Sequence, residues 1–378
     1  MLLRENADQQ QARVALEPGH FGRRNRNTRN PAVTIRCSLH LFVGTLTGLS
    51  LTLASIAKAQ PPAEFYKGKQ IRFIIRSVAG GGFDVYSRLV GRHIVNHIPG
   101  KPTMIPLNMP GGGGLTAIKY MAEVAPRDGT YLTMAGQALS LDQALGFTPT
   151  FKADLRRFNW IGNVSDSNLL SYTWHTSPTK TMEDAKARVT LMGSVGAGDL
   201  TSWITDVYNK VLGTRFKIVG GYQSVSEIRL AMERGEVEGL GANPLSDLLS
   251  VRPTALKDRT YSILTQIGVK RDPLIPDVPL LGELTDDPER KAILEFISKG
   301  LAVGRPIGTT PDVPAERVAV LRKAFDDMLA DPEFIRDAEK QGAAIGPMSG
   351  ETLARLINDV LGAPQELKDK ARATMPPR

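Results

Sequence analysis

Residues 71–75 (IRFII) form a short, mostly apolar run, followed by three glycines and then by Val85, Leu89, Ile94 and Ile98 at mostly helical spacing. That order predicts a buried strand, a turn and a helix ended by Pro99-Gly100. The unit recurs at 103–108, which runs through Pro110 into four glycines and a helix through Tyr120 to Val124. Residues 131–135 (YLTMA) and 160–164 predict two further strands. From Leu169 the alternation starts again, with a strand at 169–175, a turn at Ser177-Pro178, a capped helix start at 181–184 and a strand at 189–192 ending in GSVGAGD. A strand at 216–219, a capping box from Ser224 to Glu227, a helix at 228–234 stopped by Gly235 and a strand at 237–240 follow. Near the end, 294–303 reads as a connecting strand. Val318, Leu321, Phe325 and Met328 make one helical stripe, Asp331-Pro332 opens another helix, and a last one covers 351–361. Strands alternating with helices in two successive sets predict an α/β chain of two lobes, each built on a mainly parallel sheet.

The segment before this pattern changes what the overall charge means. Residues 1–36 hold Arg23, Arg24, Arg26, Arg29 and Arg36, residues 39–56 are largely apolar, and Ala57-Lys58-Ala59 precedes Gln60. A basic part, an apolar part and small residues in that order predict a signal peptide over 1–59, and hence a periplasmic protein. Eight Lys/Arg against three Asp/Glu up to Ala59 leave +3 of the formal +8 for the remainder, too little to argue for nucleic acid. Cys37 is the single cysteine and falls in that leader, so the mature chain offers no disulfide, thiolate nucleophile or cysteine metal site.

The glycine turns attract the chemistry. Glycine between strand and helix permits positive φ and a close backbone approach, while the helix start offers unpaired N–H groups to an anion. A tight turn that needs glycine for its shape alone is the other reading of any single case. Three such turns, SVAGGGFD, PGGGG and GSVGAGD, point together to a shared site beyond the carboxyl ends of the strands. Nucleotide cofactors do not fit. Gly82 and Gly114 lack the Lys-Ser/Thr of a P-loop, and Thr116 stands where the last glycine of G-x-G-x-x-G belongs. His93 and His97 stand four apart without the glutamate of HExxH and read as solvent-facing rather than metal-binding. His175 has no G-x-S-x-G elbow, and Glu233, Glu236 and Glu238 with Arg234 read as a solvated helix end. No catalytic residue, metal or cofactor is therefore assigned.

From Phe65 to about Leu361 the chain resembles the periplasmic solute receptors of tripartite tricarboxylate transporters, the Bug-type receptors. IRFIIRSVAGGGFDVYSRL resembles their first strand and P-G-G-G-x-D turn, NMPGGGGLTA their N-x-P-G-A-G-G, and APRDGTYLTMAG their A-P-x-D-G-Y-T-L. GYQSVSEIRLAMERGEVEG, PDVPLLGEL and GRPIGTTPDVPAERVAVLRKAF follow in the expected order. The resemblance implies a two-lobed periplasmic-binding-protein fold of the second type, with lobe 1 over 60–168, lobe 2 over 169–298, and a return to lobe 1 over 299–378. It also implies a monomeric receptor, not an enzyme, that closes on a small organic anion, commonly a carboxylate, and delivers it to the membrane permease. Carried over by position, Ser77, Gly81, Gly82, Phe83 and Asp84 form the first anion turn, Gly112, Gly113 and Thr116 a second wall, and Gly136 and Gln137 the loop after the third strand. Ser194, Gly196, Gly198 and Asp199 form the turn of the other lobe, with Tyr222 and Asn243 facing the ligand. Asp84 is also a candidate cap for its own helix.

Three positions depart from that pattern. Residues 76–79 (RSVA) replace the family's prolines, Phe83 stands where threonine or serine is common, and Asn243 lies where many members have aspartate. The Phe83 ring either stacks on an aromatic or apolar acid or packs beneath the turn. Two rival roles share the cleft, a sensory receptor feeding a signalling protein and a secreted α/β enzyme acting on a small acid.

Overall fold

The structure is a computed structural model that describes residues 62–375, except 166 and 197–198. The leader 1–59, Cys37 and the site candidate Gly198 lie outside the described residues.

The first sheet contains β1 (Gln70–Ile75), β2 (Thr103–Asn108), β3 (Tyr131–Met134), β4 (Asn159–Asn163), β10 (Pro306–Thr309) and β11 (Met348–Ser349), in the order β11-β4-β10-β3-β1-β2. The second contains β5 (Leu169–Trp174), β6 (Thr190–Gly193), β7 (Phe216–Val219), β8 (Gly239–Pro244) and β9 (Tyr261–Ile267), in the order β7-β6-β8-β5-β9. β1 pairs in parallel with β2 and β3, and β10 lies antiparallel between β3 and β4. β6 pairs in parallel with β7 and β8, and β5 lies antiparallel between β8 and β9. Both sheets are mixed rather than mainly parallel: each keeps a parallel core of three strands, and β10 and β11 in the first and β5 in the second run against it. For β5 geometry requires this, because the chain leaves β4 at its carboxyl end and crosses directly to the second sheet, whereas β10 is reached through the helix Pro288–Leu301.

Helices pack on both faces of each sheet, as strands buried along their whole length, such as Leu169–Trp174 and Pro306–Thr309, demand. Gly82–His97 and Ala315–Leu329 cover one face of the first sheet, with Phe73, Leu89, Ile94, Leu321 and Phe325 fully buried among them. Leu115–Glu123 and Gly350–Leu361 cover the other. Val225–Glu233 and Leu245–Val251 cover one face of the second sheet. On its other face a continuous apolar cluster holds Trp203 of Leu200–Val207 together with Leu141 and Leu145 from beside the first sheet.

Four local expectations need correction. The connecting strand expected at 294–303 is the end of a helix, Pro288–Leu301, with Asp287 capping the amides of Glu289 and Arg290. Ser224 caps Val225–Glu233 by accepting the Glu227 N–H at 3.3 Å, but Glu227 accepts from Gln223 instead of closing a box on Ser224. Glu238 is no part of a solvated helix end. Its carboxylate accepts from Arg188 and from Ser177, each at 2.7 Å. His93 and His97 face a neighbouring helix: His93 lies 2.9 Å from Asp337 and edge-on to Phe334, and His97 lies 3.1 Å from Asp331. These pairs fasten Pro332–Lys340 to Gly82–His97.

Candidate functional site

A cavity of about 460 Å³ opens where strands of both sheets end. The loops after β1, β2 and β3 and the short helix Leu139–Ala144 form one side, and the start of Leu200–Val207 forms the other. Of the residues carried over from the sequence, the structure brings Phe83, Gly112, Gly113, Gly136, Gln137 and Asp199 to this cavity. It adds Arg76, Leu115, Leu139, Asp142, Phe147, Leu200 and Trp203, none of them among those candidates.

Arg76 sets the site's electrostatics. Its guanidinium lies 4.3 Å from the centre of the Phe83 ring and donates to the Gly113 carbonyl, while its Nε is buried without a hydrogen-bond partner. Burial depresses its pKa, the nearby charge of Arg305 depresses it further, and Asp142 opposes both. A guanidinium stays protonated in water's pH range, so this direction reports a cation held in unfavourable surroundings that an anion would relieve. Arg305 is 9% exposed. It sits 5.1 Å from the Phe83 ring and 4.2 Å from that of Tyr86, and reaches Asp247 at 3.4 Å. The Phe83 ring therefore serves two guanidinium groups. The helix that starts at Gly82 beside them has no side-chain cap, and its positive end adds to the same field.

The second glycine turn makes room for Arg76 at its last residue. Gly111, Gly112, Gly113 and Gly114 all have positive φ, and a Cβ on Gly114 would overlap Nε of Arg76. A Cβ on Gly136 would lie 3.4 Å from the same guanidinium. Close backbone approach is used here by the protein's own cation.

The remaining sequence candidates lie outside the cavity lining. Asp84 is 4% exposed, and its carboxylate accepts from the Gly80 N–H at 2.9 Å, Arg88 at 2.9 Å and Asn108 at 2.8 Å. It fixes the shape of the first turn, in which Gly81 is the residue before the helix and Gly82 lies against Arg305. The Ser77 carbonyl accepts from Asn108 at 2.8 Å, and Thr116 packs its hydroxyl against Gly111. Ser194 is buried and bonds Gly196 within the turn after β6, while Asp199 caps the next helix through Thr201 as well as lining the cavity. Asn243 is 3% exposed and donates to Pro244, and Tyr222 packs beside the core of the second sheet.

Burial alone would raise the Asp84 pKa, but the Gly80, Asn108 and Arg88 hydrogen bonds outweigh it and hold the carboxyl below its ordinary value. Its contribution is complete above the ordinary carboxylate range and is lost as pH falls through the depressed value. Asp84→Asn is expected to cost about 2 kcal/mol at neutral pH, read from the urea midpoint. The gap to the wild type should narrow once pH falls below the ordinary aspartate pKa of about 3.9. A pH-independent gap would contradict the role of the charge.

No family model matches the chain. A UPF0065 protein of Bordetella bronchiseptica is 24% identical over 366 residues, covering 92% of this chain and 98% of that protein. Among solved structures, a TctC solute binding protein from Polaromonas aligns with a TM-score of 0.61 at 19% identity, over 81% of this chain and 99% of its own. MatC from Rhodopseudomonas palustris, with bound malate, aligns with a TM-score of 0.57 at 17% identity, over 80% of this chain and 99% of its own.

Proposed function

We propose that the protein, which has the two-lobed fold of the periplasmic solute-binding proteins it resembles, is an extracytoplasmic receptor for a small organic acid and serves a tripartite tricarboxylate-type membrane transporter. The observation that carries this reading is the cavity between the two sheets with the guanidinium of Arg76 in its wall. Its volume falls in the range of small-molecule sites, about 300–1,000 Å³. A carboxylate there meets a partly desolvated cation in a fork geometry that suits two parallel N–H donors. The malate bound by MatC, a chain of the same fold, supports an acid as ligand. Among the described residues no helix is long and apolar enough to cross a membrane. With the basic, apolar and small-residue order of 1–59, this fits export to the periplasm.

Ligand contacts from both sides would favour a closed arrangement over an open one by the difference in affinity for the two. Calorimetric titration of the purified protein with a panel of carboxylic acids is expected to find at least one that binds at micromolar concentration or below. X-ray scattering at saturation should show a smaller radius of gyration. A panel in which nothing binds, or a bound acid that is converted to product, would contradict the receptor role.

A further inference from the structure

We infer that the cavity selects a singly charged carboxylate with an apolar, ring-sized body, and that it disfavours di- and tricarboxylates. The inference rests on the receptor reading above and goes further in naming the class of acid. Its first support is charge. Among the described residues, the charged side chains lining the cavity are one cation, Arg76, and two carboxylates, Asp142 and Asp199. A first carboxylate on the ligand finds Arg76. A second meets the carboxylates of Asp142 and Asp199, because the other nearby cation, Arg305, is outside the lining and already reaches Asp247 at 3.4 Å, and like charges at close range in a partly desolvated site repel strongly. Asp199 accepts the Thr201 amide at 2.9 Å and hydroxyl at 2.7 Å, so it does not turn away to make room.

The second support is the apolar part of the lining. Leu115, Leu139, Phe147, Leu200 and Trp203 give the cavity an apolar side drawn from both halves of the molecule. Trp203 is 1% exposed and Leu139 is 7% exposed, so this wall is anchored in the apolar core. A citrate-like ligand would press polar groups against these side chains beyond those that Gln137 and Thr148 of the lining can meet, whereas an aryl or alkyl body would bury apolar surface there.

Titration calorimetry of the purified protein at pH 7 with phenylacetate, benzoate, hexanoate, malate and citrate tests this directly. The best of the three monoacids is expected to bind at least about tenfold more tightly than malate or citrate. Asp142→Asn should narrow that ratio by improving malate, and Phe147→Ala should narrow it by weakening the monoacids, each checked for an intact fold by circular dichroism. Malate or citrate binding as tightly as the best monoacid would overturn the inference while leaving the receptor reading in place. A ratio unmoved in both folded variants would overturn it as well. Binding of none of the five, with other acids also silent, would remove the receptor reading and this inference with it.

Discussion

Arg76→Met is expected to weaken binding of the cognate acid by about 100-fold or more while leaving the protein as stable as the wild type or more so. The binding loss follows from removing the cation in the cavity wall. Deleting one member of a desolvated charge pair costs about 2–5 kcal/mol, with each factor of ten equal to roughly 1.4 kcal/mol. Retained stability follows from the surroundings of the guanidinium. It is buried against its own pKa, repelled by Arg305, and left with an unpartnered Nε. An unbranched apolar side chain of similar length keeps the packing against Phe83 and Gly114 without that cost. Arg76→Lys should fall between, since a point charge lacks the paired donors of the fork. Calorimetry and thermal melts on the two variants check both halves. A Met variant that binds normally would exclude Arg76 from the site. One that unfolds would make it a structural residue.

Gly114→Ala should damage both stability and binding, because the position has two requirements that alanine fails. Its φ of 100° lies where L side chains rarely settle, a strain of about 1–3 kcal/mol. Its missing Cβ is also the space occupied by Nε of Arg76, so the guanidinium must leave its place over Phe83. The coupling gives a sharper expectation than either loss alone. In the Arg76→Met background the steric part shrinks, because a flexible thioether yields where a guanidinium tied to Gly113 does not. The double variant should therefore be more stable than the sum of the single changes by about 1 kcal/mol. Strict additivity in urea denaturation would show that Gly114 and Arg76 do not share that space.

Much of the fold is legible along the chain where local signals agree. β1, β2 and β7 stand out because short apolar or β-branched runs are bounded by glycine, proline or charge, and the structure places β2 and β7 at the expected residues. The capped helix start at Thr181, which the structure closes as a capping box with Asp184, and the Asp331-Pro332 helix start are found as read, since each rests on contacts within four residues. Pro288–Leu301 escapes because its second half, rich in Ile293, Leu294, Phe296, Ile297 and Leu301, is buried enough to mimic a core strand. The Asp287-Pro288 start, of the same type as Asp331-Pro332, was the available signal. β8 reads as ending at Leu240 because Gly241 looks like a strand breaker. In the folded chain Gly241 lets the helix Leu200–Val207 approach the sheet, since a Cβ there would overlap the Thr205 hydroxyl.

The site was legible in position but not in chemistry. Glycine turns after strands mark the carboxyl ends where the cavity forms, and they account for Phe83, Gly112, Gly113 and Gly136 at its wall. What a glycine makes room for is a tertiary fact, and here it is in part an arginine from the neighbouring strand end. Arg76 was visible as the first residue of the RSVA that replaces prolines. Its direction depends on β1 lying between β2 and β3, which no local pattern encodes. Phe147 and Trp203 were hidden for a similar reason, since each reads as ordinary core until the two halves are brought together.

The most direct test is a crystal structure of the protein with the tightest acid of the panel. The expected density places its carboxylate within hydrogen-bonding distance of the Arg76 guanidinium, with the rest of the ligand between the loops of the first sheet and the helix that begins at Leu200. An acid bound outside this cavity, or inside it with Arg76 turned away, would contradict the assignment.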